Sequence, residues 1–554
     1  MKKILAILLV VALFATLAAC GGGGTTDTGA PATSNTPGAS TTPGASTTPG
    51  ATPALPGGQS ALNPGDVITA PEGEDVKYAD HIEILIDSPI QLINPHAMGG
   101  SSVGSRLVQM TVYDRLVYRT VEGDILPQLA TSWDSDDLQT WTFKLRDDVT
   151  FHNGDKFTAQ DVVNTAKSGL AAVGTQALDS WRDVDTITAI DEYTVEIVLI
   201  ARRPDFLYLM SLPAAGIINT KAMEANPVEG AYVGTGAFYI SEFTSDDHIT
   251  VTRNENYWEG YPPTRELTFR FIPEIPNRAV MMLTGEAHVG NGIMPADLEA
   301  FVDNPDFVIY QFLNDAPHGI GFNMNLPITS DLNFRMAIAH SLNYPDITYM
   351  SSGEWAIPAT DGTLWGYMTP YRDNDIPLKE FDLELAKQYL AASTYNGEEI
   401  ELLTGITTFH TVSEILQEQL ALMGVNLKLF QTDIQTLSAA AQYGSDQVQM
   451  VGHVFPFNLS ASSAMTVLGP YGSANRISYN NPQVNELLDA ASEMIDPAQR
   501  EATYRQVQEI VADEVPVINF MYRIMCVVTP SNVGGIIINS EQNHDLRYVY
   551  MTVD

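Results

Sequence analysis

Residues 111–163 read TVYDRLVYRTVEGDILPQLATSWDSDDLQTWTFKLRDDVTFHNGDKFTAQDVV. Within them Thr140-Trp141-Thr142-Phe143-Lys144-Leu145-Arg146 alternates apolar and polar side chains. Successive residues of a strand face opposite sides, so the run predicts a half-buried strand. Phe151-His152-Asn153-Gly154-Asp155 then reads as a tight turn: Asn and Gly tolerate positive φ, and Phe151 can anchor the turn in a core. His152 could serve as a base or metal ligand, but its place in this turn gives it a structural role.

Outward from this stretch the same mixture continues. Tyr193–Leu199 alternates and predicts a second strand. Asn481-Pro482 opens a helix with Pro in its first turn, and Val484, Leu487, Leu488 and Ala491 supply an apolar face. Asp496-Pro497-Ala498-Gln499 opens another, with an Asp cap and Gln three residues on. In that helix Tyr504, Val507 and Val511 face inward, and Pro516 ends it. Strands intermixed with helices, without a repeat array, predict α/β or α+β layers, and 554 residues predict two or three structural units.

Acids outnumber bases 67 to 28, a formal charge of -39, which excludes a nucleic-acid binder and fits a surface bathed in medium or envelope fluid. Lys2 and Lys3 precede an apolar run, Ile4 to Ala19, that is shorter than the ~20 residues of a membrane span and reads as an export signal. Four glycines after Cys20 lead into TPGAST, TPGAST and TPGAT at 36–52. Such a composition builds no core, so residues 20–78 are expected to form a disordered tether with a reach of roughly 40 Å. The second cysteine, Cys526, lies in an apolar strand-like run and is expected to be a buried, inert thiol.

Two resemblances give these features a meaning. Leu17-Ala18-Ala19-Cys20 resembles a lipobox, which implies that residues 1–19 are a lipoprotein signal peptide and that Cys20 is lipidated. The chain from about residue 80 to 554 resembles the bacterial extracellular solute-binding proteins of family 5, the peptide/nickel-type receptors of ABC importers. The matching elements are Tyr113-Asp114-Arg115-Leu116, Pro127-Gln128-Leu129-Ala130 with Ser132-Trp133, the Thr140–Arg146 strand and Phe151–Asp155. Val233–Phe238, Arg253–Trp258, Phe334–Ala339, Gln419–Val425 and Asn480–Pro482 follow in order. The resemblance implies an α/β, two-lobed periplasmic-binding-protein-like fold (type II, cluster C) with an extra subdomain in the first lobe. Lobe I is expected over 79–320, lobe II over 321–520 and a return to lobe I over 521–554, with strand crossings near 318–325 and 518–526. It further implies a monomeric, non-catalytic receptor that captures a small solute, a peptide by preference, between the lobes. The receptor would hand it to an ABC permease with its ATPase subunits, touching the membrane through the lipid anchor only, with no cofactor and no nucleic acid.

Candidate ligand-binding residues follow from loops expected at the cleft. In the first lobe these are His96, Met98, Ser101 and Ser102. Gly100-Ser101-Ser102-Val103-Gly104 fits the esterase elbow G-x-S-x-G, but Asn94–Gly99 before it is loop chemistry where that motif needs a strand. In the second lobe Trp355 and Trp365 are candidate aromatic walls, and His453, Phe455, Phe457, Asn458 and Arg476 complete the set. In dipeptide-type relatives the segment at 451–458 carries a Trp and an Asp that pairs with the peptide ammonium. Here the run from Gln447 to Asn485 holds no acid, so capped or cyclic peptides, glycosides and other neutral solutes enter consideration. The nickel-type resemblance leaves a metallophore open, with His96 and His453 as candidates; no HExxH or clustered His/Cys spacing supports a metal site. Gly234-Thr235-Gly236 lacks the Lys of a P-loop and reads as a turn into a strand. Arg335 is expected in an internal ion pair. A ligand sensor of the pheromone type and a surface hydrolase using Ser102 are the readings from other classes.

Overall fold

The computed structural model describes residues 76–553, apart from 87, 91, 98–101, 122, 174, 294, 315, 367–368, 370, 406–408, 456–460, 471, 473 and 540. The signal peptide, Cys20 and most of the tether therefore lie outside the described residues, as do Met98, Ser101, Phe457 and Asn458.

A mixed twelve-stranded sheet organises the chain around one long strand, Val517–Pro530. The first part of that strand pairs antiparallel with His318–Phe322, and its second part with Phe307–Leu313. Beyond His318–Phe322 come Met450–Val454, Glu399–Thr404 and Asn426–Gln431, the last three mutually parallel. On the other side Val289–Asn291 leads to His81–Ile86, Glu266–Phe271, His248–Arg253 and Phe238–Thr244. The sheet thus has two halves. The chain passes between them twice, side by side: through Asn314–Pro317 and within the long strand near Met521–Arg523. Each half has its own apolar core. Ile84, Val108, Phe269 and Val527 belong to one; Ile320, Phe334, Leu416 and Phe520 belong to the other.

A separate antiparallel sheet, Ala130–Asp134, Thr140–Leu145, Thr194–Leu199 and Val184–Asp191, is the extra subdomain. Its inward face carries Trp141, Phe143, Val195 and Ile197, the alternation read from the sequence, and Trp181 and Phe206 complete its core.

The motifs that carry the family resemblance converge on one buried carboxylate. Asp114, 1 % exposed, accepts from Gln128 Nε2 (3.0 Å), Thr235 Oγ1 (3.1 Å), Tyr257 OH (3.0 Å) and Trp258 Nε1 (3.0 Å). Those donors come from three segments, so Asp114 pins the end of the strand Ile125–Pro127, the Gly-Thr-Gly turn and the Asn-Tyr-Trp turn together. Gly234 is needed there because a Cβ would stand 2.0 Å from the Val112 carbonyl oxygen. His152 bonds the same turn, with Nδ1 accepting from Gly234 N–H (3.2 Å) and Nε2 at 3.0 Å from the Gly236 carbonyl, a structural role.

Local capping chemistry fixes the helices. Asn481 accepts from the N–H groups of Gln483 and Val484, starting Pro482–Glu493, and Asp496 accepts from Ala498 N–H, starting Pro497–Glu514. Val515, in a left-handed conformation, ends the latter just before Pro516. One expectation is corrected. Arg335 donates to the carbonyls of Thr329 and Glu514, closing the end of that long helix, where an ion pair was expected.

Candidate functional site

Where the two chain passages run side by side, polar residues interrupt an otherwise apolar sheet. His318, 2 % exposed, opens the strand leaving the first passage, and its ring stacks on Phe409 with centroids 6.0 Å apart and planes 4° apart. On the opposite face the register aligns three residues across adjacent strands: Asn519 faces Gly319, which faces His453. Because residues directly opposed in an antiparallel pair share a face, the side chains of Asn519 and His453 flank a glycine. Only a glycine fits between them, because a Cβ at Gly319 would stand 2.4 Å from the Ile518 carbonyl oxygen. The His453 ring meets Phe455 edge-on at 5.9 Å, and the loop bearing Arg476 and Ile477 lies against the same face, with Ile477 Cγ2 2.4 Å from where a Cβ of Gly321 would stand.

Five polar atoms in this region are sealed from solvent yet make no hydrogen bond among the described residues: Nδ1 of His318, Nδ1 of His453, Nε of Arg476, Oδ1 of Asn519 and Oγ1 of Thr404. Native interiors rarely leave such atoms unpaired; those of His318 and Thr404 lie on the Phe409 side of the sheet, those of His453, Asn519 and Arg476 on the Gly319 side, and the second group marks a candidate site for something else. Burial, and then the charge of Arg523, holds His318 well below its ordinary pKa. Burial, and then Arg476 and His318, do the same for His453. Both rings are neutral at pH 7 and can each offer one N–H. Arg476 donates through Nη2 to Ser438 Oγ (2.8 Å), and burial lowers its pKa to about 10, so it stays charged.

The extra subdomain reaches across to the second half. Arg203 pairs with Asp183 (2.6 Å) and Asp205 (3.4 Å) and stands 3.8 Å from Met465 Sδ, on the helix Ala461–Leu468. The extra subdomain therefore meets the second half at the helix Ala461–Leu468.

The remaining sequence candidates fall in different places. His96 sits in the first half with Nδ1 2.9 Å from Ser168 Oγ, its pKa lowered to about 4 by burial. Ser102 caps the helix Val103–Val112, accepting from Ser105 N–H (3.2 Å) and donating to Ser105 Oγ (2.9 Å). Trp355 packs with Leu85, Met282, Phe301 and Tyr522 in the first half's core, carried there by Ala356–Pro358, which pairs with Met521–Arg523. Trp365 and Phe455 are fully buried in one core with Val484, Leu488 and Tyr504. His96 and His453 do not come together in a metal-binding group, and none exists among the described residues. His318, Thr404 and Asn519 were missed as candidates; their signal was a lone polar residue interrupting an apolar strand at the crossing.

The model for the bacterial extracellular solute-binding proteins, family 5 middle, matches residues 124–476. The chain belongs to family 5 of these solute-binding proteins. The nickel-binding periplasmic protein of Escherichia coli K12 is 25% identical to this family 5 protein over 492 residues, 82% of this chain and 91% of that one. Two solved structures share its fold. The periplasmic binding protein AgaA of A. tumefaciens R10, in complex with agropinic acid, aligns with TM-score 0.77 at 21% identity over 86% of this chain and 99% of the other. DppA of Helicobacter pylori, in complex with the peptide STSA, aligns with TM-score 0.78 at 22% identity over 86% and 99%. The fold is thus the two-lobed type II periplasmic-binding-protein fold, and this family 5 member is a binding protein rather than an enzyme. No helix among its described residues is long and apolar enough to cross a membrane.

Proposed function

We propose that this family 5 protein is the extracytoplasmic receptor of an ABC importer, anchored by lipid at Cys20 and capturing a peptide-sized solute where its two halves meet. The observation that carries the reading is the cluster of sealed, unpartnered polar atoms at the double chain crossing. A solute there touches both halves only when they are shut, so binding draws the open form to the closed one. The closed form then docks on the permease and releases its cargo. The names of the relatives span nickel, agropinic acid and a peptide. The acid-free run Gln447–Asn485 favours a solute without a free ammonium at this point. The tether, expected over 20–78 but ending before the strand Lys77–Tyr78 that pairs with Thr552–Val553, gives the receptor about 40 Å of freedom above the membrane.

Native mass spectrometry of the protein purified from its own membranes tests the receptor role, and should find a solute that leaves on denaturation. A thermal-shift screen backs it, since a solute at 100 times its Kd raises stability by about 2.7 kcal/mol. A protein that retains nothing and responds to no solute contradicts the role. Cys20→Ala should release the protein from the membrane with solute affinity unchanged.

A further inference from the structure

We infer that the solute is an acid: its carboxylate seats on Arg476 and His453, over Gly319, with an adjacent N–H or O–H of the solute donating to Asn519 Oδ1. The inference rests on the receptor role proposed above and names the class of its cargo.

The ion pairing of the buried arginines points this way. Arg203, Arg372 and Arg547 each face a carboxylate at 2.6–2.7 Å, and Arg278 and Arg335 are consumed by backbone carbonyls; Arg115, in the first half, shares with Arg476 the lack of a carboxylate among the described residues and stands 2.8 Å from Met110 Sδ. Arg476 has five N–H donors and gives one to a neutral hydroxyl; among the described residues no carboxylate lies within 4.0 Å of it. A guanidinium withdrawn from water without an anion is costly, and so is an unpaired imidazole nitrogen beside it. A bound carboxylate removes both deficits with charge-assisted bonds.

The neighbouring acceptor narrows the class further. Asn519 Nδ2 donates to the Thr363 carbonyl (3.3 Å), which turns Oδ1 toward Gly319, where a Cβ would stand 2.9 Å from it. Donors on one side of the glycine and an acceptor on the other fit a carboxylate whose next atom carries an N–H or O–H. The C-terminal residue of an acylated peptide has that pattern, and so does a hydroxy or sugar acid. A free ammonium directed at Arg476 would meet only donors.

The test is a thermal-shift and calorimetric comparison of matched pairs. One arm uses N-acetylated di- and tripeptides as free acids and as C-terminal amides; the other uses gluconate and glucuronate against glucose. The acid of at least one arm should bind and its neutral partner should not, and the arm that responds identifies the source of the carboxylate. Arg476→Gln should weaken the responding acid about 30-fold or more, since truncating one member of a desolvated charge pair removes 2–5 kcal/mol. Arg476→Lys should retain part of the affinity, and both variants should keep the ligand-free melting temperature within a few degrees. Neutral partners that bind as well as the acids, or an acid preference surviving Arg476→Gln, overturn the acid class and leave the receptor role standing. Silence in both arms, with a neutral or cationic solute found on the natively purified protein, also overturns the acid class alone. Silence in both arms and no solute on the native protein overturns both.

Discussion

Replacing Asp114 should destabilise the first half of the molecule more than any single apolar truncation of similar size. Its carboxylate receives four donors at 3.0–3.1 Å, from Gln128, Thr235, Tyr257 and Trp258. Asp114→Ala leaves all four without a partner in a region sealed from solvent. At about 1–3 kcal/mol for each buried unsatisfied group the sum would be large. The vacated volume, however, can admit a water that makes about three hydrogen bonds. The net loss is therefore about 4–5 kcal/mol. Asp114→Asn separates the contributions. Its carbonyl can sit where Oδ1 sits and keep Gln128 and Tyr257, and the Thr235 hydroxyl can turn to accept from the new amide. Only Trp258 Nε1 then faces another donor, so the loss is about 1–3 kcal/mol. Thermal and urea unfolding should rank wild type above Asn above Ala, with a melting temperature lower for Ala by on the order of 10 °C. Equal losses for Asn and Ala, or a loss under 1 kcal/mol for Ala, would refute the convergence argument.

Three further outcomes are expected. Burial opposes the charge on Asp545, but Arg547, bonded to both carboxylate oxygens at 2.7–3.1 Å, outweighs it and holds the pKa below the ordinary carboxylate range. Asp545 therefore contributes stability fully above about pH 4, lost as pH falls through the lower folded-state value, and Asp545→Asn should flatten melting temperature against pH in that window. Asp361 behaves in the opposite sense: burial raises its pKa despite Arg372 at 2.7 Å, so desolvation outweighs the pairing. Asp361→Asn should then cost about 3–5 kcal/mol by stranding Arg372, while the double change Asp361→Leu with Arg372→Met recovers most of it in a double-mutant cycle. Cys526 is 2 % exposed and burial pushes its thiol up to about 12, so a disulfide reagent at pH 8 should find no thiol in native protein taken from membranes and one after unfolding.

Much of the scaffold was legible because it rests on local rules. The Thr140–Leu145 and Thr194–Leu199 strands follow from alternation, and Asn481 and Asp496 cap the helices they appeared to cap. The structural role of His152 was legible from its turn, although its backbone partners at Gly234 and Gly236 lie far away in sequence. The site was less legible, for a physical reason: its polarity belongs to pairings between strands distant in sequence. Nothing local to Asn519 says that it faces Gly319 and, across it, His453. Aromatic residues misled for the converse reason. Trp365 occurs in a loop, which suggests exposure, yet the helix Pro497–Glu514 brings Tyr504 against it and closes the core over it. Trp355 precedes a short strand that pairs with the crossing itself and is drawn into the first half's core.

The most direct measurement is a crystal structure of the natively purified protein, or of the protein with an acid found by the matched-pair screen. The account predicts a solute held between the two halves at the crossing, with carboxylate oxygens about 2.7–2.9 Å from Arg476 and a donor facing Asn519 Oδ1. A solute bound elsewhere on the molecule, or one turning a cationic or neutral group to Arg476 and His453, would contradict it.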